Sequence, residues 1–269
     1  METQTRPFGH LLRTWRQRRR VSQLDLALDA GVSARHISFV ETGRSLPSRE
    51  MVLHLAGHLD VPLRERNDLL VAAGYAPVFP ETSLDDPAGE AARRAIEIVL
   101  TGHEPYPAIA IDRYWNLVSA NRAIGILLEG IAPELLQPPV NVLRASLHPD
   151  GLVSRAVDRV GWREHLLNLV RRTIDRTADP GLIELLDELQ SYPATTPDDA
   201  RATSSEFPET GGLIIPMRLR TRFGELSFFS TTTIFGTARD VTLAELAIES
   251  FFPADAETGD ALREIARAG

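Results

Sequence analysis

Residues 22–48 read SQLDLALDAGVSARHISFVETGRSLPS. Ser22 is a good N-cap for a short helix carrying Leu24, Leu26, Ala27 and Leu28. Gly31 stands where a tight turn between two helices needs positive φ. Ser33 caps a second short helix with Ile37, Val40 and Glu41, which stops at Thr42-Gly43. Working outward, apolar spacing predicts three more helices. Phe8, Leu11, Leu12 and Trp15 mark the first. The basic run Arg16 to Arg20 closes it, read as a solvated helix end with phosphate contact as the alternative. Pro47-Ser48 opens another helix through Leu59, and Pro62 opens the last, which Gly74 ends.

A short helix, a glycine turn and a second short helix make a helix-turn-helix unit. On Ser22-Gln23, Leu26-Ala27, Gly31-Val32-Ser33, Ile37, Glu41-x-Gly43 and Pro47-Ser48, the stretch resembles the phage-repressor, or XRE-like, helix-turn-helix family. The resemblance implies a transcription regulator with double-stranded DNA as partner. The second helix of the unit must offer one face to the core and one to the major groove. Ile37 and Val40 take the core face. Ala34, Arg35, Ser38 and Phe39 lie on or beside the outer one, with Ser33 at the helix start. Arg35 is the best candidate for a bidentate guanine contact, worth about 1–3 kcal/mol of discrimination; the alternative is a solvated surface arginine. Ala34 or Phe39 can touch a thymine methyl, although Phe39 stands where related repressors often place a polar reader. By its match to the motif, Gln23 is expected to contact phosphate. Thr42, Arg44 and Ser48 are expected on the DNA backbone beyond the helix. Glu41 reads as a structural acid bonding the following loop or a nearby arginine. His54 and His58, four apart, have no Glu or Cys partner nearby, so core packing is expected over a metal.

Composition narrows the chemistry. The 269 residues contain no Cys, which removes disulfides, thiolate nucleophiles and Cys-ligated metals. All 29 basic residues are Arg, which removes a P-loop lysine and a Schiff-base lysine. Eleven Arg against seven acids leave residues 1–66 at +4, and eighteen against thirty leave the rest at −12. A basic head on an acidic body fits a DNA-binding module joined to something else. No apolar run approaches the roughly 20 residues of a membrane span. METQTRPFGH has no apolar signal core, so a cytoplasmic location without membrane contact is the expectation.

Beyond residue 75, YAPVFPETSLDDPAGE reads as a linker. The division expected is 1–75 for the head, 76–107 for linker and connecting helix, and 108–269 for the body. Helices are predicted over 88–101, 121–128, 152–175 and 180–190. Strands are predicted over 108–112, 115–120, 212–219 and 225–233. A C-terminal helix is placed near Leu243. Tyr114-Trp115-Asn116, Ala120-Asn121-Arg122, Leu147-His148-Pro149-x-Gly151-Leu152, Trp162-Arg163, Ala178-Asp179-Pro180, Phe228 to Gly236 and Leu246 to Asp255 resemble the MmyB-like ligand-binding domain. The resemblance implies a PAS-like α+β fold with an interior cavity and a hydrophobic, fatty-acid-like ligand. The fold class is therefore an all-α helix-turn-helix N-terminal domain plus an α+β PAS-like C-terminal domain.

Trp115, Val118, Ile124, Leu127, Leu166, Leu169, Phe228 and Phe235 are the apolar residues that line such a pocket or simply fill a core. Arg218, alternating with Arg220 on a strand, holds a ligand carboxylate or faces solvent. His148 is read as structural. No G-x-S-x-G, H-E-x-x-H or G-x-G-x-x-G is present, so no enzyme and no cofactor is expected. The alternative is a body that binds another protein, through Phe251-Phe252 and nearby acids, with no small-molecule ligand. Paired half-sites on DNA predict a homodimer.

Overall fold

Five helices follow from the capping residues. They are α1 (Phe8–Arg18), α2 (Gln23–Asp29), α3 (Ala34–Glu41), α4 (Arg49–His58) and α5 (Leu63–Ala72). The Oγ atoms of Ser22, Ser33 and Ser48 accept the N–H groups of Asp25, His36 and Met51 at 3.0, 3.1 and 3.2 Å. Each satisfies a helix donor that would otherwise be orphaned. Gly31 takes φ +64° in the α2–α3 turn. Leu12, Ile37, Val52, Leu55 and Leu70 are fully buried between the helices. Gly9 lets α1 and α3 touch, because a Cβ there would lie 2.5 Å from the carbonyl oxygens of Val40 and Glu41.

The computed structural model describes residues 7–177, 179–193 and 216–268. The chain forms two units. One runs to Thr82 and also takes in Thr237–Ala244; the other holds 83–236 and 245–269.

The second unit begins with α6 (Glu90–Gly102), β1 (Ala108–Ile111) and β2 (Leu117–Ala120). Helices α7 (Gly125–Leu128), α8 (Val142–Leu147), α9 (Arg159–Thr177) and α10 (Pro180–Ser191) follow. The chain then runs through β3 (Met217–Thr221), β4 (Gly224–Ile234), α11 (Val241–Glu245), β5 (Ala247–Pro253) and α12 (Ala256–Ala268). The strands make one antiparallel sheet in the order β2-β1-β5-β4-β3. This is an α+β unit. The earlier part of the expected 212–219 strand and Ala178 lie outside the described residues.

Two sequence readings change. The segment after Leu243 is a five-residue helix and then a central strand, β5, with the C-terminal helix beginning at Ala256. Ile248, Ser250 and Phe251 are all buried. A strand covered on both faces loses the apolar–polar alternation that identifies strands. The basic run after α1 is not uniformly solvated either. Arg16 is buried and its guanidinium grips Glu41 of α3, at 2.6 Å (Nε–Oε1) and 3.0 Å (Nη2–Oε2). Arg16 also donates to the Val21 carbonyl at 2.9 Å, and the Gln23 amide of α2 donates to Glu41 at 2.7 Å. One carboxylate thus ties three helices, and its hydrogen bond raises the Arg16 pKa.

In the second unit two buried asparagines hold irregular backbone. Asn121 accepts from Ala108 N–H (3.1 Å) and donates to the carbonyls of Leu100 and Tyr106 (3.1 and 2.8 Å). Asn141 caps α8 through Arg144 N–H at 3.2 Å and donates to the Tyr114 carbonyl at 2.7 Å.

Removing one partner of a buried pair strands the other charge. Glu41→Ala should therefore destabilise the first unit by about 3 kcal/mol, read as a lowered denaturation midpoint. Glu41→Gln should recover part of the loss, and an unchanged midpoint in Glu41→Ala would show that the cluster carries no stability.

Candidate nucleic-acid interface and body interior

α3 buries Ile37 and Val40 and leaves Arg35 exposed, with Ala34, Ser38 and Phe39 half-buried on its outer side. The Arg35 guanidinium lies over the Phe39 ring at 5.0 Å, and that of Arg44 at 5.8 Å. Phe39 is therefore a shared platform for two cations, an arrangement that orders two otherwise flexible arginines. Arg44 N–H donates to the Phe39 carbonyl at 2.8 Å, fixing the loop that carries the second arginine.

The hydroxyl oxygens of Ser33 and Ser48 accept from backbone, and the Ser48 hydroxyl also donates to the Glu50 carboxylate. The Thr42 hydroxyl instead donates to the Ser38 carbonyl at 2.7 Å. Gln23 spends one amide hydrogen on Glu41 and retains the other. His54 and His58 do not pack in the core. Both are exposed, their rings 4.7 Å apart, and His54 Nε2 lies 2.9 Å from the Ala30 carbonyl. Among the described residues no cluster is suited to a metal ion.

The body brings Trp115, Leu127, Leu166 and Phe228 into one buried cluster, with Ile124 and Leu169 packed against it. Trp115 holds φ +61°, a costly conformation for a bulky residue. The Asp112 carboxylate fixes it by accepting from the N–H groups of Tyr114 and Asn116, each at 2.8 Å. Val118 and Phe235 stand outside the cluster, and Val118 is exposed. Arg218 alternates with Met217 and Leu219, which face the core, so it lies on the opposite face of β3. There it pairs with Glu225 at 3.3 Å. A carboxylate-holding role for Arg218 inside the body therefore has no geometric support. His148 is structural: its ring meets Tyr192 edge-on, and Nδ1 accepts from Asp150 N–H at 3.2 Å. Burial pushes the Tyr192 hydroxyl up to about 12, helped by its hydrogen bond to Glu188.

Sequence reasoning gave no hint of two features. Thr237–Ala244, between β4 and β5, belongs to the first unit. There Val241 N–H donates to the Pro80 carbonyl at 2.8 Å, and Thr82 N–H to Asp240 at 3.0 Å. The second is Arg113, which bridges Asp179 and Glu245 and so ties the β1–β2 turn to the entry of β5. Short polar segments such as Thr237–Asp240 carry no periodic signal, and pairings 132 residues apart leave none either.

A helix-turn-helix head followed by an α+β body is the class that the fold defines. A family model described as the MmyB-like transcription regulator ligand binding domain matches residues 92–265, and one for a helix-turn-helix domain matches residues 7–69. The chain belongs to the MmyB-like transcription regulators, DNA-binding proteins with a ligand-binding-type domain. An uncharacterized HTH-type transcriptional regulator, RghRB of Bacillus subtilis (strain 168), is 38% identical over 76 residues, 28% of this chain. The chain spans about half, 52%, of that relative's length. A solved structure of an RNA-binding light-oxygen-voltage receptor aligns over 95% of this chain and 65% of its own. Its identity is 15% and its TM-score 0.26.

The platform geometry predicts a graded result. Arg35→Ala should weaken binding to a selected duplex about tenfold, one good base contact, and binding to random duplex much less. Phe39→Leu should show a smaller loss of the same kind by releasing both arginines. Fluorescence anisotropy on the two duplexes measures both; equal losses on selected and random DNA would make Arg35 a phosphate contact only.

Proposed function

We propose that the protein is a sequence-specific DNA-binding regulator whose body senses a hydrophobic small molecule. The observation that carries the DNA half is the outer side of α3. Together with the loop after it, it presents Arg35, Phe39 and Arg44 as one ordered group, flanked by the capping serines Ser33 and Ser48. In this reading Ala34, Arg35, Ser38 and Phe39 meet base edges. Gln23, Ser33, Thr42, Arg44 and Ser48 hold the phosphates. The protein acts as a homodimer on two half-sites about one helical turn apart.

The small-molecule half is supported by the family of the body and by its large apolar interior. Trp115, Ile124, Leu127, Leu166, Leu169 and Phe228 are then its walls. The segment Thr237–Ala244 supplies a route from body to head. It is continuous with β4 and β5 and hydrogen-bonded within the first unit, so a ligand that shifts either strand pulls on it.

Native mass spectrometry of the full chain should show a copurifying organic molecule that solvent extraction removes, and footprinting on a selected duplex should protect two half-sites. A consistently empty body would favour protein input over a small molecule. Protection of a single half-site would contradict the dimer.

A further inference from the structure

Every helix of the head ends in the same way. After each of α1 to α5 a backbone N–H returns to the carbonyl five residues earlier, Val21 to Arg16 at 3.1 Å in the first case. The residue just before that N–H takes left-handed backbone. After α2, α3 and α5 it is Gly31, Gly43 and Gly74, with φ +64°, +73° and +86°. After α4 it is Asp60 at +46°, and after α1 it is Arg20 at +57°. Glycine has no Cβ to clash there, and aspartate is one of the few other residues that visit this region readily. Arginine is not one of them. Arg20 therefore stands in a conformation that glycine would adopt with less strain.

The other cations of the basic run are used inside the head. Arg16 holds the Glu41 carboxylate and the Val21 carbonyl. Arg19 donates to the carbonyls of Leu59 and Asp60, at 2.9 and 2.8 Å, and so closes the end of α4. Arg18 lies over the Trp15 ring at 5.0 Å. Arg20 is exposed, and among the described residues its side chain has no hydrogen bond, ion pair or ring contact. Positive charge near the end of α1 is favourable, but Arg16 and Arg18 in its last turn already supply it.

The place of Arg20 is set by α3. The Arg16 guanidinium that grips Glu41 also donates to the Val21 carbonyl at 2.9 Å, and the Gln23 amide donates to the same carboxylate. Residues 20–23 are thereby held beside the C-terminal end of α3, where the loop carrying Arg44 begins. A cation that nothing in the head uses is thus fixed at the edge of the α3 surface, in backbone that disfavours it.

We propose that Arg20 is a DNA phosphate contact flanking the α3 surface, held in left-handed backbone for the sake of its charge. This rests on reading the head as DNA-binding. A phosphate contact positions the protein without choosing a sequence, so the loss of Arg20 differs from the loss of Arg35 in its signature.

The test takes the full chain on selected and random duplexes, by fluorescence anisotropy over about 50–200 mM salt, with thermal denaturation of the same samples. Arg20→Gly should leave the denaturation midpoint unchanged or raise it, because glycine suits the backbone. It should weaken both duplexes alike, by roughly threefold or more, and flatten the slope of log affinity against log salt by about 0.9 per chain. Arg20→Asn, neutral and also tolerant of this backbone, should match it, whereas Arg20→Lys should keep most of the affinity and the slope. Unchanged affinity and slope in Arg20→Gly would overturn the proposal while leaving DNA binding by the head standing. A loss confined to the selected duplex would overturn it by making Arg20 a base reader. A lowered midpoint accompanying the loss would overturn it by making Arg20 structural. Failure of the unaltered chain to bind any duplex would refute both the proposal and the reading on which it rests.

Discussion

Strand β5 is the constraint on which the body depends. It hydrogen-bonds to β1 on one edge and β4 on the other, so without it the sheet would separate into a β1–β2 pair and a β3–β4 pair. Both of its faces are covered, which makes its register expensive to change: a slip of one residue would exchange Glu249 and Phe251 with Ile248 and Ser250. Its chain enters from a segment that belongs to the first unit, and Arg113 anchors that entry through Glu245. The strand that centres the sheet is therefore, with β4, one of the two that flank this segment in sequence.

The head applies the same economy on a smaller scale. A single carboxylate, Glu41, receives Arg16 from α1 and Gln23 from α2, and so sets the angle at which α3 is presented. An acid near a DNA surface would repel phosphate; here it is satisfied internally and almost wholly buried. Phe39 then orders the two cations that remain outward. The buried acid and the outward cations thus sit on one short helix, which carries Arg35, and the loop after it, which carries Arg44.

How far the sequence foretells this depends on the range of each interaction. The five head helices are legible because their signals are local: Ser22, Ser33 and Ser48 cap three of them, and Gly31 marks the turn. Glu41 as a structural acid is also legible, though its partner Arg16 is hidden within a basic run of five residues. Phe39 looks anomalous in sequence because cation–ring stacking depends on side-chain direction, which spacing does not convey. In the body, β1, β2 and β4 are legible as short apolar or β-branched runs bounded by turn residues. β5 is not, since burial on both faces erases alternation and the helix-forming run before it points the wrong way. The apolar residues of the body are legible as a set, but spacing does not tell pocket wall from packed core.

In the proposed function, the body's occupancy governs the head. The most direct test is the affinity of the full chain for its selected duplex, measured before and after solvent extraction of the body at fixed ionic strength. A change of about tenfold or more in Kd, reversed when the extracted material is returned, is the predicted result, equivalent to about 1.4 kcal/mol of coupling. Identical affinity in the two states, with extraction verified by mass, would contradict it.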